Sequence, residues 1–169
     1  MREEFEFFKK AVEITGKHSA MAAELWRRDE PDKSYFKRLI DLYILAPVIG
    51  FRMNRKAEED RSDVGNRSIY LDQILKEKDK LDTIMQTIIL LEYAEGRNQD
   101  EYKEIVNKSF RGAETKEEYD MYNKLFHDYM RGGIEYMYEK LIVQKPDLDG
   151  EYHDEMATSL MEFARRFSV

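Results

Sequence analysis

Histidine is scarce in this chain, and two of its three occurrences stand directly before aspartate, as His127-Asp128 and His153-Asp154; His18 is the third. A His-Asp pair on a helix, joined by another His and a further Asp, is the ligand pattern of metal-dependent phosphohydrolases, because a hard divalent ion takes mixed imidazole and carboxylate donors. No spacing here completes such a set, and adjacent residues on a helix point about 100° apart. Both pairs read as helix-surface residues, so a metal-dependent hydrolase ranks lowest among the function classes and no metal ligand is assigned. Nucleophilic catalysis has less support still: there is no cysteine, no G-x-S-x-G, and no serine beside an obvious base. Gly132-Gly133 lacks both glycine-rich phosphate-cradle contexts, so those glycines read as packing residues. The expectation is a non-enzymatic protein without a cofactor.

Binding chemistry has better candidates. Between Phe51 and Arg67 the chain carries Arg52, Arg55, Lys56, Arg61 and Arg67 against Glu58, Glu59, Asp60 and Asp63. Such bases hold phosphates, Arg in bidentate fashion, and Arg27, Arg28, Lys37 and Arg38 are candidates to join them. The competing reading is a solvated loop whose acids neutralise its bases. Tyrosine is the other excess, eleven in all, with Tyr119, Tyr122, Tyr129, Tyr136 and Tyr138 within one C-terminal segment. Tyrosine buries a ring while keeping a hydroxyl wet, which suits interfaces and core edges. Tyr122, Phe126 and Tyr129 share a helix face and read as core. Tyr136 lies off that face as an exposed interface anchor, with Met137 and Tyr138 beside it.

The elements that must position these groups centre on Ser34 to Asn54, the most apolar run of the chain. Phe36, Leu39, Ile40, Tyr43 and Ile44 recur at helical spacing, and Leu42, Leu45, Ala46 and Ile49 fill much of the other side. The pattern predicts a central helix over 36–49, buried on several faces, kinked or ended by Pro47 and stopped by Gly50. Its charges, Lys37, Arg38 and Asp41, leave too short an apolar run to span a bilayer. A mixed-charge loop at 51–67 follows.

Around it, Arg2 to Thr15 reads as an amphipathic helix ended by Gly16, and a second helix starts at Ser19 and carries Met21, Leu25 and Trp26. The stretch 68–75 reads either as a short helix capped by Ser68 or, at SIYL, as a strand. A helix capped by Asp79 or Asp82 runs to Ala94 and packs on the central helix. Asn98 to Phe110 is a smaller amphipathic helix. Thr115 opens a T-x-x-E capping box with Glu118, and the long pattern that follows meets Gly132-Gly133, a break, a kink or a close backbone approach. KPDLDG is a loop, and Glu151 to Phe167 forms the last helix. These elements make an all-α single domain, 1–169, of about seven helices.

The totals limit the partners. The 169 residues carry 28 basic and 35 acidic groups, a formal charge of −7, which argues against a protein coated in nucleic acid but leaves room for a local basic patch. The lack of cysteine and the acidic, aromatic start MREEFEFFKK lead to the expectation of a cytoplasmic protein.

Three segments, FKRLIDLYILAPVIGFRMNRK, KLDTIMQTIILLEYAEG and FHDYMRGGIEYMYEKLI, occur in an order that resembles the small accessory proteins of bacterial DNA phosphorothioation (Dnd) systems. The shared pattern is an apolar helix ending in Gly50-Phe51, a basic loop from Arg52 to Lys56, a second apolar helix, and Gly132-Gly133-Ile134. SIYLDQILKEKDK fits it poorly. The resemblance implies a DNA-modification or phage-defence setting and an accessory role, and it supplies no catalytic residues. The leading expectation is thus an adaptor acting on protein partners encoded nearby, through the tyrosine- and methionine-rich C-terminal half and the Gly50 to Arg67 loop. The alternative is a module that contacts DNA phosphates through that loop, and a homodimer remains an open option.

Overall fold

The computed structural model describes residues 5–144 and 152–167, without the side chains of 152–154. In order, the chain forms β1 (Val12–Thr15), α1 (Gly16–Leu25), a 3₁₀ turn (Pro31–Lys33), α2 (Leu39–Arg52), β2 (Asn66–Ile69), α3 (Leu71–Lys76), α4 (Lys78–Ala94), α5 (Gln99–Arg111), α6 (Lys116–Tyr138), a π-helical turn (Glu139–Val143) and α7 (Tyr152–Arg165). The architecture is mainly α, with seven helices among the described residues and one two-stranded antiparallel sheet that pairs Val12 with Ile69 and Thr15 with Asn66.

That sheet corrects the N-terminal expectation. Phe5 to Ala11 is irregular and Val12–Thr15 is a strand rather than the end of a helix; the expected residues 2–4 lie outside the described ones. Packing explains the change. Phe7 stacks on Tyr119 at 5.1 Å, and Phe8 meets Phe126 edge-on at 5.0 Å with a positive φ of 58°. Both adjacent rings are buried, and the positive φ at Phe8 that places them so is incompatible with a right-handed helix. Gly16, at φ 58°, begins α1 instead of ending a preceding helix, and a side chain there would strike Asp60. The stretch 68–75 contains both readings in sequence, since β2 ends at Ile69 and α3 begins at Leu71.

The central helix is α2, and it pairs most extensively with α6. It starts three residues later than its apolar pattern, continues through Pro47 and contains Gly50 as an internal residue. Leu45 and Val48 stay exposed, so one edge of this helix faces solvent. Gly132 and Gly133 interrupt nothing: α6 runs through both. A Cβ on Gly133 would fall on the carbonyl oxygen of Ala46, one on Gly50 on that of Tyr129, and one on Gly132 on that of Arg55. The two main chains therefore touch along a strip of small residues, a contact that only glycine permits. Beside the strip, Ile40, Tyr43, Phe126, Tyr129 and Ile134 fill the core.

The remaining helices are set by local chemistry. Asn98 caps α5 through a reciprocal capping box with Glu101, and the Thr115 hydroxyl accepts from the Glu118 amide at α6. The Glu118 carboxylate reaches the amide of Glu114 rather than Thr115, one residue beyond the expected box. No aspartate caps α4, whose N-cap is Glu77. At the other end, Phe163 of α7 lies 6.0 Å from Tyr136, and the predicted KPDLDG loop lies outside the described residues.

Candidate functional site

The basic loop does not present its charges outward as one surface. Arg55 is paired with Glu139 at 2.8 Å and Glu135 at 3.4 Å, Lys56 with Glu92 at 2.6 Å, and Arg61 with its neighbour Glu59 at 3.1 Å. Burial is the largest single influence and acts to raise the Glu92 carboxyl, but hydrogen bonds from Lys56 and the Tyr129 hydroxyl, with the Lys56 charge, together outweigh it and hold the group below the usual range. Gly50 is spent on the helix contact, and Phe51 packs edge-on against Tyr129 at 5.2 Å. Arg52 alone of these bases is exposed on α2 with no ion pair among the described residues.

What the loop does is fasten elements together. The Ala57 amide donates to the Asp128 carbonyl at 2.9 Å, Arg131 Nε donates to the Ala57 carbonyl at 2.9 Å, and the Lys17 amide donates to the Asp60 carboxylate at 2.6 Å. Asp60 thus supplies the negative group that the first turn of α1 lacks in its own sequence.

The fourth arginine of that stretch, Arg67, is placed differently. It sits on β2 with its guanidinium 5.8 Å from the Trp26 ring, and it shares a groove of about 450 Å³ with Arg28, Lys37, Arg38 and Tyr70. The connector from α1 to α2 is pinned in place to form one wall. The Arg27 amide donates to Ser34 Oγ at 2.9 Å, the Ser34 hydroxyl to the Phe36 carbonyl at 2.6 Å, and Trp26 Nε1 to the Lys37 carbonyl at 3.2 Å. Arg38 is tied to Asp41 and Glu77. Arg28 and Lys37 are exposed and have no ion-pair partner among the described residues. Uncompensated cations beside an aromatic floor are a setting for an anionic ligand.

The predicted interface anchors are mostly covered. Tyr136 and Met137 are buried and Tyr138 is half-buried. Tyr136 is overlaid by Phe163, with Arg166 donating to its hydroxyl at 3.5 Å, so α7 occupies the face that helical spacing leaves open on α6.

His18 and His127 serve packing networks. His18 is fully buried and its Nε2 donates to the Glu135 carboxylate at 2.9 Å, which leaves Nδ1 without a partner. Burial lowers its pKa more than Glu135 raises it. Burial also acts to raise the Glu135 carboxyl, but hydrogen bonds from Lys17 and His18 outweigh it and hold the group low. His127 donates from Nδ1 to the Asn123 carbonyl at 2.7 Å, and its Nε2 accepts from the buried Tyr43 hydroxyl at 3.0 Å. Asp128 is held by Lys124 and Arg131. Among the described residues no three His, Asp or Glu side chains gather as a metal site; the His153 side chain lies outside them.

Known proteins add no further guide: the chain matches no family model, no curated sequence and no solved structure. No described helix is long and apolar enough to cross a membrane. Trp26 and Tyr70 are the groove residues that sequence reasoning missed. The signal in reach was the only tryptophan of the chain standing directly before Arg27-Arg28.

Proposed function

We propose that this chain is a non-enzymatic accessory protein that works by binding, and that its working surface is the groove of Trp26, Arg28, Lys37 and Arg67, with a phosphate-bearing nucleic acid as ligand. The observation that carries this reading is that Arg28 and Lys37, on one groove, are exposed and have no ion-pair partner among the described residues. Arg67, held on the Trp26 face, adds a third cation whose orientation is set before a ligand arrives. The three-segment resemblance to accessory proteins of DNA phosphorothioation systems supports a DNA-linked setting. Fluorescence anisotropy with a labelled oligonucleotide tests the proposal. Binding should weaken with salt and disappear in an Arg28→Glu/Lys37→Glu double variant. Equal affinity in that variant and the unaltered chain would remove it.

A second reading is an adaptor for a protein encoded nearby. It is favoured by the apolar residues left exposed on α4, α5 and α6: Leu91, Tyr102, Phe110 and Met121. Helix α5 fully buries only Ser109. Co-purification with neighbouring gene products, repeated with Phe110→Glu, separates the two readings. A partner retained by that variant would count against this face.

A further inference from the structure

We infer that the groove accepts a single strand and not a duplex, with one base stacked on Tyr70 and the flanking phosphates on Arg28 and Lys37; this rests on the phosphate-binding reading above. Tyr70 is 67 % exposed, at the corner where β2 turns into α3. No ring partner covers it among the described residues, and it forms part of the same groove wall as Arg67 and Ser68. An aromatic face next to cations is the recurring arrangement for unpaired bases, because every base has a π-face while its phosphates stay outside on the charges. The Gln73 side chain, also on the groove, adds donors and an acceptor for a base edge.

A duplex fits this surface poorly for two reasons. Its bases are already stacked on one another and do not enter a recess, so Tyr70 would add nothing to its binding. Its second backbone would also need more basic surface, whereas the adjoining hollow beyond Arg28 adds only Arg27, already paired with Glu24 and Glu30, and brings Asp29 as well. Arg38, also on the groove, is already engaged by Asp41 and Glu77, and Arg67 lies against the Trp26 ring. Arg28 and Lys37, the two exposed cations of the groove without an ion pair among the described residues, therefore match about two phosphates of one strand.

The test compares a fluorescein-labelled thymidine oligonucleotide with a duplex of equal length, each titrated at several salt concentrations with the intact chain. The single strand should bind more tightly, with a logarithmic salt slope of about −1.4 for two phosphates. Tyr70→Ala should weaken single-strand binding by about 5- to 100-fold with the slope unchanged. Lys37→Gln should reduce the slope by about 0.7. Both positions are exposed, and circular dichroism of each variant checks that the fold is kept. Equal binding of duplex and single strand, or a Tyr70→Ala variant that binds normally while Lys37→Gln loses affinity, overturns the single-strand inference and leaves phosphate binding standing. No binding of either nucleic acid overturns both. Displacement of the oligonucleotide by an equal concentration of polyglutamate would assign the groove to acidic peptides instead.

Discussion

Replacing Gly133 with alanine sets two physical effects against each other. By helix propensity alone the change stabilises α6 by about 1 kcal/mol, because glycine is the poorer helix former. The α2–α6 contact predicts the opposite sign. The new methyl would fall on the main-chain carbonyl of Ala46, and no side-chain rotation moves that oxygen away. Relief requires the helices to part, yet one turn further along, Gly50 is held in the same way against the Tyr129 carbonyl. Separation loosens the packing of Tyr43, Phe126 and Tyr129, each of which contributes about 1.5–3 kcal/mol by burial. Losing a fraction of that, on top of the 1–3 kcal/mol usual for an overpacked core, gives a cost of about 3–5 kcal/mol. Net of propensity, the variant should be less stable by about 2–4 kcal/mol, and its Tm lower by about 5–15 °C for a chain of this length. Far-UV circular dichroism during thermal and urea unfolding reads this directly. Ala46→Gly should not rescue the variant, since the obstacle is a backbone atom. A Gly133→Ala chain that melts at or above the parent temperature would refute the close crossing.

Other expectations follow from the same contacts. Acidification should lower stability in two stages, checked by urea midpoints at pH 7.5, 5.5, 4 and 3. The folded pKa values of His18 and His127 lie below the ordinary 6.5 because burial disfavours the charged ring, so the unfolded chain takes up protons first and stability declines once the pH passes below that value. Glu92 and Glu135 are held below the ordinary 4.5, so their contribution is present above that pH and is lost as the pH falls through their lowered values. A midpoint that stays level from pH 7.5 to 5.5 would contradict the first stage, and one that stays level on further acidification from pH 4 to 3 would contradict the second. Asn98→Ala, which removes the α5 capping box, should cost about 1 kcal/mol and speed amide exchange in the first turn of α5; unchanged exchange there would discount the cap. Arg52→Glu should change oligonucleotide affinity by less than about twofold, because Arg52 lies on α2 outside the groove that holds Arg28, Lys37 and Arg67. A large loss would return the binding surface to the loop.

The parts of the fold that could be read from the chain are those decided within a few residues. The 3.6-residue spacing of Leu81, Ile84, Met85, Ile88 and Ile89 marks α4, the amphipathic pattern from Asn98 to Phe110 marks α5, and Thr115 announces α6 through its side-chain cap. The N-terminal aromatics mislead for the opposite reason. Phe5, Phe8 and Val12 have helical spacing, but Tyr119, Tyr122 and Phe126, more than a hundred residues away, offer the rings that Phe7 and Phe8 pack against, and that contact overrides local preference. Gly50 looks like a stop, and Gly132-Gly133 leaves a break, a kink and a close backbone approach open, until α2 and α6 are laid side by side and the close approach is seen. The candidate site divides in the same manner. Residue type marked the bases, but Arg55 and Lys56 find acids on α6, the π-helical turn and α4, while Arg67 meets Arg28 and Lys37 only because β2 returns to the end of α1. Tyr136 reads as open because α7, which covers it, is distant in sequence.

The pairing of β1 with β2 has a consequence for how the chain reaches this state. The strands are joined through α1, α2 and the whole intervening loop, so they do not zip from a turn as a hairpin does. Loop-closure entropy delays such long-range contacts until others have drawn the ends together. Docking of α2 on α6, followed by the anchoring of Ala57 to Asp128 and of Asp60 to Lys17, draws them together stepwise. The amides of Val12–Thr15 and Asn66–Ile69 should then acquire protection late in refolding and lose it early in unfolding. Four residues on each strand act as a clasp that closes only after α2 and α6 have docked.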